Sequence, residues 1–132
     1  MRVEVDVTKT AGPDVNDIGI ICRSKDSDTG YNFYYFVISS DGFANIAKIE
    51  NSEHSLLAEL TDAAHPAIKT GNVANRLRAD CIGNTLTLYV NDQQVLTATD
   101  TTFTSGDVGL IAGTFDEVGT DVLFDNFIVT AP

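Results

Sequence analysis

Few side chains here could carry chemistry, and their spacing excludes much of it. Cys22, Cys81, His54 and His65 are the whole supply of thiols and imidazoles. A zinc site wants Cys and His clustered at short spacing, which these four lack. No pattern links either histidine to a Ser or Cys nucleophile, and each reads as a surface loop residue. Oxygen ligands are plentiful: Asp and Glu number 19 against 8 Lys and Arg, a net charge of −11. That balance disfavours nucleic acid, whose phosphates need Lys and Arg, and equally an anionic membrane surface. It leaves carboxylates for a hard cation such as calcium, which takes six to eight oxygens. Asp26-Ser27-Asp28-Thr29-Gly30 alternates carboxylates ahead of a glycine but is too short for an EF-hand loop. Asp116-Glu117 with Asp121 forms a second acidic stretch. The alternative for both is a solvated loop.

The elements that must position these groups are strands. The 132 residues suit one domain, and 43% hydrophobic content suffices for a core. No apolar run approaches the ~20 residues a membrane helix needs. Period-two alternation dominates, as in Val3, Val5 and Val7 against Glu4, Asp6 and Thr8. Further strands are expected at Ile18–Arg23, Asn32–Ser39, Phe43–Ile49, Arg76–Ile82, Thr85–Asn91, Val95–Thr99, Asp107–Gly113 and Asp121–Thr130, with a short one at Leu56–Leu60. Ser40-Asp41-Gly42 and Gly83-Asn84 read as hairpin turns. Thr10–Asp17 reads as a loop, and Thr61–Asn75, broken by Pro66 and Gly71, as a long connection with room for one helical turn. Nine or ten short strands joined by tight turns make an antiparallel sandwich or barrel.

Several motifs resemble the concanavalin A-like lectin/glucanase superfamily. They are Ile18-Gly19-Ile20-Ile21-Cys22-Arg23, Asn32–Ser39 followed by Asp41-Gly42, Asn75–Asn84, Leu86–Asn91, Gly106–Leu110 and Phe124-Asp125-Asn126-Phe127. The likeness is strongest to the laminin-G-like and 3-keto-disaccharide-hydrolase-like domains of bacterial surface proteins and covers nearly the whole chain. It implies an all-β jelly-roll sandwich over residues 1–132, a glycan on its concave face and a calcium near the rim, for which Asp125 is a candidate position besides Asp26 and Asp28. Such domains usually open with an Asp-Phe segment and a Trp-containing strand, both missing here. The chain enters strand-like sequence at Arg2, as expected of an excised domain lacking its first strand. The edge beside Val3–Val7 would then be open to another chain's strand, as in a surface assembly.

Glycoside hydrolysis needs two carboxylates about 5–9 Å apart. Glu4-Val5-Asp6-Val7 is similar to the start of the superfamily's Glu-x-Asp-x-x-Glu pattern, but position 9 is Lys9. The acid/base is missing, so the expectation is a non-catalytic recognition module, extracellular or cell-surface and part of a larger protein. The expected partner is carbohydrate. Parity puts Arg23, Tyr35, Arg78 and Asp80 on outer faces, where they are expected to share the concave one: Tyr35 as a stacking platform, the others as polar clamps. The alternative is an Arg78–Asp80 pair across the sheet surface. Cys22 and Cys81 fall on inward faces. A disulfide closing 59 residues is expected, the alternative being two buried free thiols.

Overall fold

A computed structural model of the protein describes residues 1–114 and 121–131. The alternating segments form ten antiparallel strands in two five-stranded sheets, with no helix among the described residues. The first sheet holds β1 (Arg2–Ala11), β6 (Ala74–Ile82), β7 (Thr85–Val90), β8 (Gln93–Thr99) and β10 (Asp121–Thr130), in the order β10-β1-β6-β7-β8. The second holds β2 (Asn16–Ser24), β3 (Phe33–Ile38), β4 (Ala44–Glu50), β5 (Glu53–Glu59) and β9 (Asp107–Thr114), in the order β5-β4-β3-β2-β9. For brevity these are sheets A and B.

The alternation read in the sequence is the alternation of burial. Val3, Val5 and Val7 of β1, Leu77 and Ala79 of β6, and Leu86, Leu88 and Val90 of β7 line the inner face of sheet A. Ile18 and Ile20 of β2, Tyr34, Phe36 and Ile38 of β3, and Ile46 of β4 line that of sheet B. Burying each large aliphatic or aromatic side chain contributes about 1.5–3 kcal/mol, and the inner faces hold little else. The tight turns carry residues that tolerate a left-handed backbone: Asn51 and Ser52 join β4 to β5, and Asn91 and Asp92 join β7 to β8, all with φ between 51° and 67°.

Three expectations are corrected. The loop read over Thr10–Asp17 is shorter, because Ala11 pairs with Asp121 on β10, and Asn16 and Asp17 pair with Thr114 and Gly113 on β9. The 61–73 connection forms turns but no helical turn. The edge beside Val3–Val7 is not open: β1 lies between β10 and β6, paired along both sides. The outer strand of that side is β10, whose Phe127 and Val129 remain more than 40% exposed, as do Leu123 and Ile128.

One polar cluster closes an end of the core. The buried Tyr34 hydroxyl donates to Asp100 Oδ1 at 2.6 Å and accepts from the Phe103 amide at 3.0 Å. Lys48 Nζ donates to the other Asp100 oxygen at 3.2 Å, and Thr102 N donates to Oδ1 at 2.9 Å. Burial pushes the Asp100 carboxyl up, but these bonds outweigh it and hold the group well below the usual carboxylate range.

The sulfurs of Cys22 on β2 and Cys81 on β6 are bonded across the two sheets, with Cα atoms 6.9 Å apart. Closing a 59-residue separation removes chain entropy from the unfolded state. Reduction is expected to lower unfolding stability by about 4 kcal/mol. Urea denaturation with and without reductant, with the Cys22→Ala/Cys81→Ala protein as reference, measures it. An unchanged midpoint would contradict this role.

Candidate functional site

Since inner positions are filled, a ligand site must use an outer face or the loops. The four residues expected to cooperate are dispersed by the fold. Arg78 and Asp80 face outward from sheet A, Tyr35 from sheet B, so they lie on opposite sides of the sandwich. Arg23 belongs to neither face. A register shift between Ile21 and Ser24 breaks the alternation, and Arg23 takes a left-handed φ of 54°. Its guanidinium donates to the carbonyls of Gly83 at 2.8 Å, Phe103 at 3.0 Å and Cys81 at 3.2 Å, tying loops of the two sheets together.

The outer face of sheet A is closed upon itself. Asp80 accepts paired hydrogen bonds from Arg2, at 2.9 and 3.1 Å, and from Arg78, at 3.1 and 2.8 Å. The Arg78 guanidinium lies 4.1 Å above the Tyr89 ring centroid. Arg76 meets Asp6 at 3.2 Å, and Asn126 Nδ2 donates to the same carboxylate at 2.7 Å. The Arg78–Asp80 surface pair weighed for this strand is thus what forms, enlarged by Arg2. Glu4 and Asp6, the partial hydrolase pattern, lie on this same arginine-bearing face.

The acidic residues considered for calcium do not converge. Asp26 and Asp28 are exposed in the turn between β2 and β3, beside a Ser27–Gly30 bridge. Asp125 is exposed on β10, next to Asp6, and accepts from the Asn126 amide at 2.8 Å. Asp116 and Glu117 lie outside the described residues, and Asp121 begins β10. Among the described residues no three Asp, Glu, His or Cys side chains gather closely enough to hold a metal ion. His65 accepts from the Ala67 amide at 3.0 Å within its own loop.

The outer face of sheet B is different. Its central strand β3 is apolar on both sides: Phe33, Tyr35 and Val37 point outward while Tyr34, Phe36 and Ile38 enter the core. Val37 on β3 and Ala47 on β4 are only 1% and 0% exposed although both face away from the core. Across the sheet, Tyr35 stands between Ala47 and Ile21, and Val37 between Asn45 and Gly19. Gly19 has no room for a side chain, since a Cβ there would lie 1.8 Å from the Phe36 carbonyl oxygen. The Tyr35 ring approaches Phe33 at 6.3 Å and His54 at 5.8 Å between centroids. Burial, with the Asp17 charge adding to it, pushes the Tyr35 hydroxyl up to about 12.

Next to this aromatic row is a hollow of about 260 Å³ floored by Val37 and bordered by Asp17, Asp41, Phe43, Asn45 and Glu59. Asp17 comes from the start of β2, Asn45 from β4 and Glu59 from the end of β5. Asp41 sits in the β3–β4 turn, which is closed by hydrogen bonds from Ser39 N to Phe43 O at 2.8 Å and from Gly42 N to Ser39 O at 2.9 Å. Two buried oxygens of its lining residues, Asp41 Oδ1 and Asn45 Oδ1, have no hydrogen-bond partner among the described residues. An unpaired buried acceptor costs about 1–3 kcal/mol, so these atoms favour a donor. Burial also pushes the Asp17 carboxyl above its ordinary range, against the pull of His54.

Of the residues read as a site, none lines this hollow; Tyr35 comes nearest, two residues from Val37 on the same outer face of β3. Asp17, Asp41, Asn45 and Glu59 were missed because they sit in four segments and converge only when β2 to β5 pair. The one sequence signal was β3 itself, an antiparallel strand hydrophobic on both sides.

No family model and no curated protein matches the sequence. Solved structures do match its fold. A carbohydrate-binding module, CBM66 of Bacillus subtilis, superposes with a TM-score of 0.68 over 96% of this chain and 71% of that one, at 21% identity. Sheep galectin-11 in complex with glycerol gives 0.65 over 96% and 86%, at 14% identity. The CBM40 of a Ruminococcus gnavus IT-sialidase gives 0.53 over 93% and 73%, at 9% identity. The fold is the all-β sandwich of such lectin-like proteins.

The arginine cluster ties β1 to β6 through Asp80, and acid is expected to weaken it. Burial pushes the Asp80 carboxyl up, but the hydrogen bonds from Arg78 and Arg2 dominate and bring it down to about 2. A depressed carboxyl stabilises the fold fully above its unfolded value near 4, and the contribution fades as pH falls through about 2. Between those limits the protein is expected to lose on the order of 2 kcal/mol through this group. Comparing denaturation of the protein and Asp80→Asn at pH 6 and pH 2.5 tests this, the difference between them shrinking in acid.

Proposed function

We propose that the protein is a non-catalytic carbohydrate-binding module and that its ligand occupies the outer face of sheet B. The single observation that carries this is a hollow beside an aromatic row whose lining residues Asp41 and Asn45 each keep an acceptor oxygen without a partner among the described residues. Sugar rings present donating hydroxyls on their rims and apolar C–H faces above and below. Tyr35, with Phe33 and His54, supplies the stacking surface; Asp17, Asp41, Asn45 and Glu59 receive the hydroxyls. The likeness to carbohydrate-binding modules and a galectin supports the reading, as does the motif resemblance to concanavalin A-like domains. The Cys22–Cys81 bond supports an oxidising, extracellular setting, since such bonds persist there.

Glycan-array binding followed by calorimetry tests the proposal. Tyr35→Ala is expected to weaken binding at least about tenfold, the loss of one stacked ring, with the fold retained by circular dichroism. Arg78→Ala, on the far side of the sandwich, is expected to leave affinity intact. A full array without a bound glycan would overturn the reading.

A second reading, assembly of copies through an edge strand, is favoured by the exposed Leu123, Phe127, Ile128 and Val129 of β10. Light scattering that gives a monomer mass at every concentration would exclude it.

A further inference from the structure

The charges around the hollow narrow the ligand class, an inference that rests on the carbohydrate reading above. Three carboxylates, Asp17, Asp41 and Glu59, border it, and Asn45 adds an unpartnered oxygen. Among the described residues no Lys or Arg lines it. Most cationic residues are engaged elsewhere: Arg2 and Arg78 on Asp80, Arg76 on Asp6, Lys48 on Asp100, Lys9 on Asp14, and Arg23 on carbonyls. Two of the lining groups that could donate are also occupied, which leaves the Asn45 amide as a side-chain donor. Asn16 Nδ2 is used by Pro13 O and Ser40 Oγ, both at 2.9 Å, and Ser39 Oγ donates to Asp14 O at 2.9 Å.

The described lining of the hollow is therefore rich in acceptors and carries net negative charge. The carboxylates are spread around it rather than gathered as a metal cage, since no three acidic or imidazole side chains converge among the described residues. A neutral hydroxyl can supply one donor and keeps lone pairs that need donors of their own. A carboxylate-bearing or phosphorylated sugar would meet like charge. An ammonium supplies three donors, no acceptor and the missing positive charge.

We propose that the hollow selects sugars bearing a free ammonium group, that is non-acetylated hexosamine residues, over neutral and anionic sugars. The ammonium sits among the Asp17, Asp41 and Glu59 carboxylates, while the ring continues over Tyr35.

Calorimetry with three short oligosaccharides of equal length tests this: a β-1,4-linked glucosamine oligomer, its fully N-acetylated counterpart and the matching neutral glucose oligomer. The glucosamine oligomer is expected to bind at least about tenfold more tightly than either, the effect of one close charge pair, and to lose that margin as salt rises. Asp41→Asn and Asp17→Asn, nearly isosteric, are each expected to erase much of the margin while keeping any neutral-sugar binding. Asp92→Asn makes the same charge change in the β7–β8 turn of the other sheet and is expected to alter nothing. Equal affinities for the amine and its acetylated form would overturn the ammonium assignment while leaving the carbohydrate reading in place. An amine margin lost equally in Asp92→Asn would also overturn it, by showing general attraction to an acidic protein. Binding of none of the three, together with an empty glycan array, would remove both.

Discussion

Two sheets without a helix to cover them can be dry only where they face each other, and the rest of this structure follows from that constraint. Every second side chain on the inner strands must be apolar and fit its counterpart across the gap. Val3, Val5, Val7, Ile20, Phe36 and Leu88 meet that demand and leave no inner position for chemistry. Polar groups enter only with their partners, as Tyr34 does with Asp100 and the Phe103 amide. Whatever the protein binds, it binds with side chains pointing the other way.

The two outer faces answer that requirement differently. On sheet A opposite charges neutralise one another at short range: Arg2 and Arg78 share Asp80, and Arg76 meets Asp6. A ligand there would have to displace bonds already made. On sheet B the carboxylates around Val37 have no cation, and two oxygens no donor, among the described residues. Opportunity for a ligand lies with the face whose internal accounts are left open, even though the other carries more conspicuous charged residues.

Which features were legible in the sequence follows the range of the interactions that make them. In Val3–Val7 and Leu86–Val90 the two-residue repeat shows which side chains are inside, because the pleat is a local property. The inward placement of Cys22 and Cys81 comes from the same rule. Parity says in or out but not which sheet a strand joins, so Tyr35 and Arg78 looked like neighbours and lie on opposite sides. Parity also fails at a bulge, and Arg23 sits at one. Asp17 and Asp41 lay in stretches read as a loop and a turn. Their meeting with Asn45 and Glu59 depends on pairings that no local pattern encodes, and Asn16–Asp17 became strand only because β9 lies alongside.

The bond between Cys22 and Cys81 closes β3, β4 and β5 into a covalent ring together with the long 61–73 connection. That exposed connection is where a protease would find the chain most readily. A cut there would leave two polypeptide ends but one molecule, with Tyr35, Asp41, Asn45 and Glu59 still tethered to the strands that hold them. In an oxidising medium rich in hydrolases, such a nick would be silent until the sulfurs were reduced.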